Sequence, residues 1–365
     1  MPETESAFSF EKTKKLRGML IVGIFIFHFC HFYPTQIRPD IGHVLVGAFF
    51  MLSGFGLMES FNNKKNYLDD FIGNKIARLL VPVWIAGLFV LVIYWTVYNN
   101  HSILNEQVYL FDLISGGLTI TGTWFVIELI FFYIIFYIAF KYLNKKLAIV
   151  AVTVSILFLM ILFSYQQQGM WAASGMMFPV GLMLSHYKNR IESLKPHSIL
   201  LFSIVISLIF AYVMKLPRIT PMSSLVYGNL QCLFITLFVI ISLLVRKFGV
   251  DKWVLTLLLC NIVYYTFQTS LQLGPNIVTV LPVISVFLIL AGLNVISPIT
   301  NFVGNISYEF YIIHAIIIQV SKIWFADMLL CFISSFILSL VIAIVIKKAS
   351  RILLSNKKCE TNTTG

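Results

Sequence analysis

About twelve apolar stretches follow one another along this chain, each close to the ~20 residues that a helix needs to cross the hydrocarbon core of a bilayer. They run at about 16–33, 42–60, 77–98, 123–143, 147–165, 170–187, 198–214, 224–246, 253–273, 276–296, 303–321 and 327–347. Short charged or Gly/Pro/Asn-rich breaks separate them, too short to hold a soluble domain. Only 11% of the residues are charged, against roughly 25% in an ordinary globular domain, and 59% are hydrophobic. No soluble core absorbs that much apolar surface. The expected fold is therefore all-α, a polytopic transmembrane bundle of about 10–12 spans. Residues 1–10 and 348–365 are expected as polar tails on either side of a membrane domain at 11–347.

The placement of Lys and Arg sets the expected orientation, because basic loops next to spans stay on the cytoplasmic side. With the N-terminus inside, all 26 cations except Arg38, Lys215, Arg218 and Lys322 fall on inner segments. Both termini are then expected to be cytoplasmic, and the host is expected to be the cell membrane. The net charge of +11 does not point to nucleic acid, since the cations lie in strips at one membrane face and suit anionic lipid headgroups. Arg17 precedes an apolar run with no small-residue cleavage site, so the first span is expected to be retained and not removed as a signal peptide. The tail after Lys357 is expected to be disordered. Cys30, Cys232, Cys260, Cys331 and Cys359 show neither metal nor disulfide spacing, and no metal site is expected.

Ionisable groups inside hydrocarbon cost at least a few kcal/mol, so those within spans are the first functional candidates. Arg17 and His28 are eleven positions apart, which on an α-helix is three turns plus about 20°, so they share a face. Arg17 then stands at the cytoplasmic mouth and His28 lies about 16 Å deeper. A guanidinium there can hold an anion, and an imidazole can take a proton from a hydroxyl. Topology signalling for Arg17 and hydrogen-bonded packing for His28 remain equally open. His31, one turn nearer the exterior, fits the interface.

Four further segments carry polar groups. FFMLSGF places Ser53 and Gly54 in the second span, where small residues more often allow close helix packing than chemistry. Lys75 and Arg78 share a helical face at the cytoplasmic end of the third span and can clamp a phosphate or simply mark topology. Glu128 lies about one turn inside the exterior end of the fourth span, where it needs a partner: an imidazole, a sugar hydroxyl or a structural cation. Tyr308, Tyr311 and His314 recur every three residues and form a polar stripe that should face other helices. Asn261 and Gln268 also share a face, with no assigned task.

Taken in order, these segments resemble the integral-membrane acyltransferases of acyltransferase family 3, which modify bacterial surface polysaccharides and related glycans. Arg17 and His28 are similar to the family's Arg, ten residues, His pattern, and FFMLSGF to its FFxLSGF segment. Lys75-Ile-Ala-Arg78 followed by Val81-Pro82 resembles its RxxR segment and trailing proline, with Lys75 departing from the first arginine and losing bidentate geometry. Trp124-Phe125 with Glu128 resembles its WF-containing span, and Ser307-Tyr308 through His314 its late SYxxYxxH segment. The likeness runs from about residue 11 to 346, most specifically over the first 140 residues.

The resemblance implies an O-acyltransferase with acetyl-CoA or another acyl-CoA as donor substrate and no permanently bound cofactor. Arg17, Lys75 and Arg78 would bind the donor. His28 would act as general base or acyl relay, with Glu128 orienting or stabilising it, and Ser53, Tyr308, Tyr311 and His314 as further lining. The acceptor would be a sugar hydroxyl on an extracytoplasmic or lipid-linked glycan, with membrane lipids and polysaccharide-assembly proteins as partners and no nucleic acid. A multi-span transporter or flippase is the alternative, disfavoured because no internal repeat is found and the ionisable residues concentrate near one end of the chain. A purely structural membrane partner ranks third.

Overall fold

The computed structural model describes residues 10–33, 42–97, 123–166, 169–193, 225, 228–230, 232–233 and 297–362. These residues are mostly helical, with short turns between the helices and no strand among them. The helices are α1 (Phe10–Phe32), α2 (Gly42–Asn63), α3 (Phe71–Thr96), α4 (Thr123–Tyr142), α5 (Lys145–Tyr165), α6 (Gly169–Ala172), α7 (Met177–His186), α8 (Lys188–Glu192), α9 (Ser297–Asn305), α10 (Ser307–Trp324) and α11 (Met328–Asn362). Six are long and apolar enough to cross a membrane: within α1, α2, α3, α4, α5 and α11. The pair α9 and α10, interrupted at Ile306, makes a seventh if the two are one span. The chain is therefore a multi-pass helical membrane protein. The expected spans at 198–214, 253–273 and 276–296 lie outside the described residues, as do nearly all of 224–246 and both Asn261 and Gln268.

Two expected elements differ. Instead of one span at 170–187, the chain forms α6, a turn at 173–176 and α7. The ten residues of α7 reach only about 15 Å, half of the hydrocarbon thickness. Gly175 in the turn and Pro179 in the first turn of α7, where a missing N–H costs no helix bond, favour the break. Irregular backbone at such a place needs protein partners, and Asn229 supplies them. Its amide donates to Ala172 O at 2.6 Å and to Leu225 O at 2.8 Å, and its Oδ1 accepts from Met176 N at 3.0 Å. At the other end, α11 runs to Asn362, past the expected limit at 347 and through the start of the segment expected to be disordered. A formed helix extends without a new nucleation cost, and the lysines and Arg351 beyond the span are good helix formers that suit its C-terminal half.

The described helices fall into two compact units. Unit one comprises residues 1–20, 37–64 and 149–304, and unit two residues 21–36, 65–148 and 305–365. In unit one, α2 packs along α7 through glycine on both sides. A Cβ on Gly54 would collide with the carbonyl oxygen of Phe178, and one on Gly181 with that of Met51. Without a hydrophobic drive between helices in lipid, such backbone proximity is a main source of helix adhesion. At one end of this contact Ser185 Oγ donates to Glu59 Oε1 at 2.7 Å, and Lys188 Nζ lies 3.5 Å from Glu59 Oε2.

Unit two is held by aromatic rings. Phe25 on α1 sits within 5.8 Å of Phe310 on α10 and 5.3 and 5.2 Å of Phe332 and Phe336 on α11, each edge to face. On α3, Phe71 stacks on Tyr137 of α4 at 5.9 Å. Such pairs contribute about 0.5–1.5 kcal/mol each beyond burial. At the far end of α1, Lys322 Nζ donates to Phe32 O at 2.9 Å and Tyr33 Oη to Ala326 O at 3.1 Å. These bonds tie the C-terminus of α1, where backbone carbonyls lack helical donors, to α10 and the turn after it.

Candidate active site

His28 and His314 meet ring to ring. His28 Nδ1 lies 2.8 Å from His314 Nε2 although 286 residues separate them. Helix α1 brings His28 to this point and α10 brings His314, both within unit two. His314 is fully buried, whereas His28 is half-buried. The ring of Phe310 stacks on His314 at 5.7 Å with an interplanar angle of 10°, and Phe27 and Phe32 flank His28 at 5.1 and 6.3 Å. The other nitrogen of His314, Nδ1, lies 2.8 Å from Tyr311 O and 3.1 Å from Phe310 O.

The pair leads on to Glu128. Tyr311 is buried one turn before His314, their rings 5.9 Å apart. It packs on Phe125 of α4 at 5.1 Å and lies within Coulomb range of Glu128, one turn further along α4. Glu128 is fully buried, and neither of its oxygens has a hydrogen-bond partner among the described residues. The sequence offered Glu128 as a group that orients or stabilises His28; the hydrogen-bond partner that the described residues give His28 is His314. Two carboxylate oxygens that no described residue bonds are costly at this depth unless a donor beyond those residues or a proton meets them.

Lys75 and Arg78 occupy the first two turns of α3, also in unit two. Lys75 Nζ stands 5.5 Å over the ring of Tyr67 and 5.9 Å over that of Phe71, while Arg78 is exposed. Pro82 has no N–H, so the Arg78 carbonyl loses its helical donor. Beside it Tyr308 Oη donates to Leu79 O at 2.7 Å, pinning α3 to the start of α10 next to the cation. Tyr308 is thus tied to the Lys75–Arg78 segment, while Tyr311 and His314 belong to the imidazole pair. Lys347 of α11 donates to Asn305 O at the same end of α10, and it and Arg351 act electrostatically on the buried Glu309. This second basic pair is not singled out by sequence, where it looks like the ordinary flank of a last span.

Arg17 and Ser53 lie in unit one. The guanidinium of Arg17 lies beside Gly56 of α2, where an added Cβ would stand 3.9 Å from Nη2, and Ser53 is one turn from Gly56 on the same face. Arg17 and His28 both belong to α1, Arg17 in the part assigned to unit one and His28 in the part assigned to unit two.

A helical membrane protein with an imidazole pair inside its spans, a buried carboxyl group that no described residue bonds, and basic residues at helix ends has the parts of a membrane-embedded group-transfer enzyme. A family model described as an acyltransferase domain matches residues 15–348, and the chain belongs to that family, acyltransferase family 3. It is thus a multi-pass membrane acyltransferase. Neither the curated proteins nor the solved structures gave a match.

Proposed function

We propose that this acyltransferase moves an acyl group, acetyl from acetyl-CoA in the first instance, to a sugar hydroxyl of an extracytoplasmic or lipid-linked glycan. The observation that carries the reading is the position of His28: half-buried within a span, with one ring nitrogen engaged by His314. The described residues give His28 no other hydrogen bond, and its second nitrogen is the atom that meets the substrate in this reading. His28 takes the proton of the acceptor hydroxyl as its oxygen attacks the thioester carbonyl, and returns that proton to the departing thiolate. Transfer through an acyl-imidazole on His28 uses the same nitrogen.

Positively charged loops are retained on the cytoplasmic side, so Arg17, Lys75 and Arg78 face the compartment that supplies acyl-CoA. Their charges suit its phosphates, with Arg78 able to make the bidentate contact that Lys75 cannot. Glu128, whose oxygens no described residue bonds, suits a donor from the acceptor or from the amides of the pantetheine arm. The host is the cytoplasmic membrane, with both chain ends inside, and polysaccharide-assembly proteins are expected neighbours.

Comparing the glycans of cells with and without this chain by mass spectrometry tests the reading. An acyl mass increment that requires the chain, and disappears with Arg78→Ala as donor binding weakens, is the expected result. Identical glycans in both cells, with export of a solute changed instead, would favour the transporter.

A further inference from the structure

We infer that His314 is a positioning residue that fixes the tautomer of His28 and so selects Nε2 of His28 as the atom that handles the proton; this rests on the base or relay role of His28 given above.

The inference follows from which atoms can carry hydrogen. His314 Nδ1 faces two backbone carbonyl oxygens, Tyr311 O at 2.8 Å and Phe310 O at 3.1 Å. A carbonyl oxygen only accepts, so Nδ1 of His314 must hold the proton; a bare nitrogen there would set lone pair against lone pair. In a neutral imidazole the other nitrogen is then an acceptor. Nε2 of His314 is therefore bare and faces Nδ1 of His28 at 2.8 Å, a distance that requires a hydrogen between them. That hydrogen can only be on Nδ1 of His28. With both rings neutral, a single arrangement remains: Nδ1–H of His28 donates to Nε2 of His314, Nδ1–H of His314 donates to Tyr311 O, and Nε2 of His28 presents its lone pair.

Two consequences follow for the reaction. The acceptor O–H bond breaks as its proton moves to Nε2 of His28, the acceptor oxygen bonds to the acyl carbon, the C–S bond breaks, and the thiolate takes the proton back as CoA-SH. Throughout, His28 keeps its Nδ1–H bond to His314, so the ring does not turn between the two proton transfers. The arrangement performs the orienting task of the third member of a catalytic triad with a neutral, buried ring anchored on a main-chain carbonyl instead of with a carboxylate. The ring stack of Phe310 on His314 and the packing of Tyr311 against Phe125 hold that anchor in place.

The experiment uses the full chain in lipid nanodiscs with acetyl-CoA and a glycan acceptor, and three variants at the pair. His314→Gln keeps an acceptor oxygen near the place of Nε2; His314→Phe fills the space and cannot accept. The Phe variant is expected to lose on the order of 100-fold in kcat, the size of a general-base contribution, with KM for acetyl-CoA unchanged. The Gln variant is expected to recover most of that loss. Nitrogen-15 spectra of histidine-labelled wild type, with His28 assigned by the signal missing in His28→Ala, are expected to show His28 protonated at Nδ1 and bare at Nε2. This reading needs no His314 variant to fold. Equal kcat for the Phe and Gln variants, whether both active or both dead, or a His28 signal protonated at Nε2, would overturn the inference. Full activity of His28→Ala would instead sink the role of His28 itself, and a dead His28→Ala beside a fully active His314→Phe would remove His314 alone.

Discussion

The two units of this protein are glued by different means. In unit one the contact between α2 and α7 depends on absent side chains: Gly54 and Gly181 let backbone meet backbone. In unit two, α1, α10 and α11 meet through rings around Phe25, and the fully or nearly fully buried carboxyl and imidazole groups of the described residues, Glu128, Glu309 and His314, all lie there. Small-residue contacts in lipid give adhesion that needs no polar atoms. Ring clusters leave space to embed polar side chains among flat surfaces, and the same rings fix their orientation, as Phe310 does for His314. Chemistry belongs where the packing material can hold a polar group still.

That contrast can be broken from either side. The largest effect is expected for Gly181→Leu, whose side chain must displace the backbone of α2 at Met51. Overpacking against main chain reaches beyond about 4 kcal/mol, and size-exclusion of the detergent-extracted protein should show loss of the folded peak. Phe25→Ala is expected to cost about 3 kcal/mol, read as a lowered thermal midpoint in detergent. Because Phe25 also touches His314, at 6.3 Å between ring centres, activity should fall further than the lost folded fraction explains. Tyr308→Phe is the mildest, about 1 kcal/mol for one hydrogen bond to Leu79 O. Its sharper signature is a raised KM for acyl-CoA, because that bond holds α3 next to Arg78. An unchanged KM would make Tyr308 a packing residue only.

How far the sequence reaches depends on the range of the signal. A run of ~20 apolar residues is local, so α1, α2, α3, α4, α5 and α11 were legible as spans. The break in 170–187 was not, because hydropathy averages over Pro179 and Gly175 and cannot see Asn229 satisfying the turn from more than fifty residues away, as in the contact with Met176. The Tyr308, Tyr311 and His314 stripe was visible from its spacing, but not that its members serve different partners: Leu79 O, Phe125 and His28. The partner of His28 was the hardest to read. Glu128 was visible as a lone carboxylate deep in a span, whereas the contact between His28 and His314 joins residues 286 positions apart. Gly54 shows the reverse: its packing role, the ordinary expectation for a small residue in a span, is what the close approach to Phe178 demonstrates.

A half-buried imidazole that moves a proton during acyl transfer is the centre of the proposed chemistry, and one measurement meets it directly. Wild-type protein and His28→Ala, both reconstituted in nanodiscs at equal folded amounts, are given acetyl-CoA and glycan acceptor, and CoA release is followed together with acylated glycan. Acceptor-dependent CoA release by the wild type is expected, with a loss on the order of 100-fold or more in the variant. Undiminished glycan acylation by the variant would contradict the role of His28.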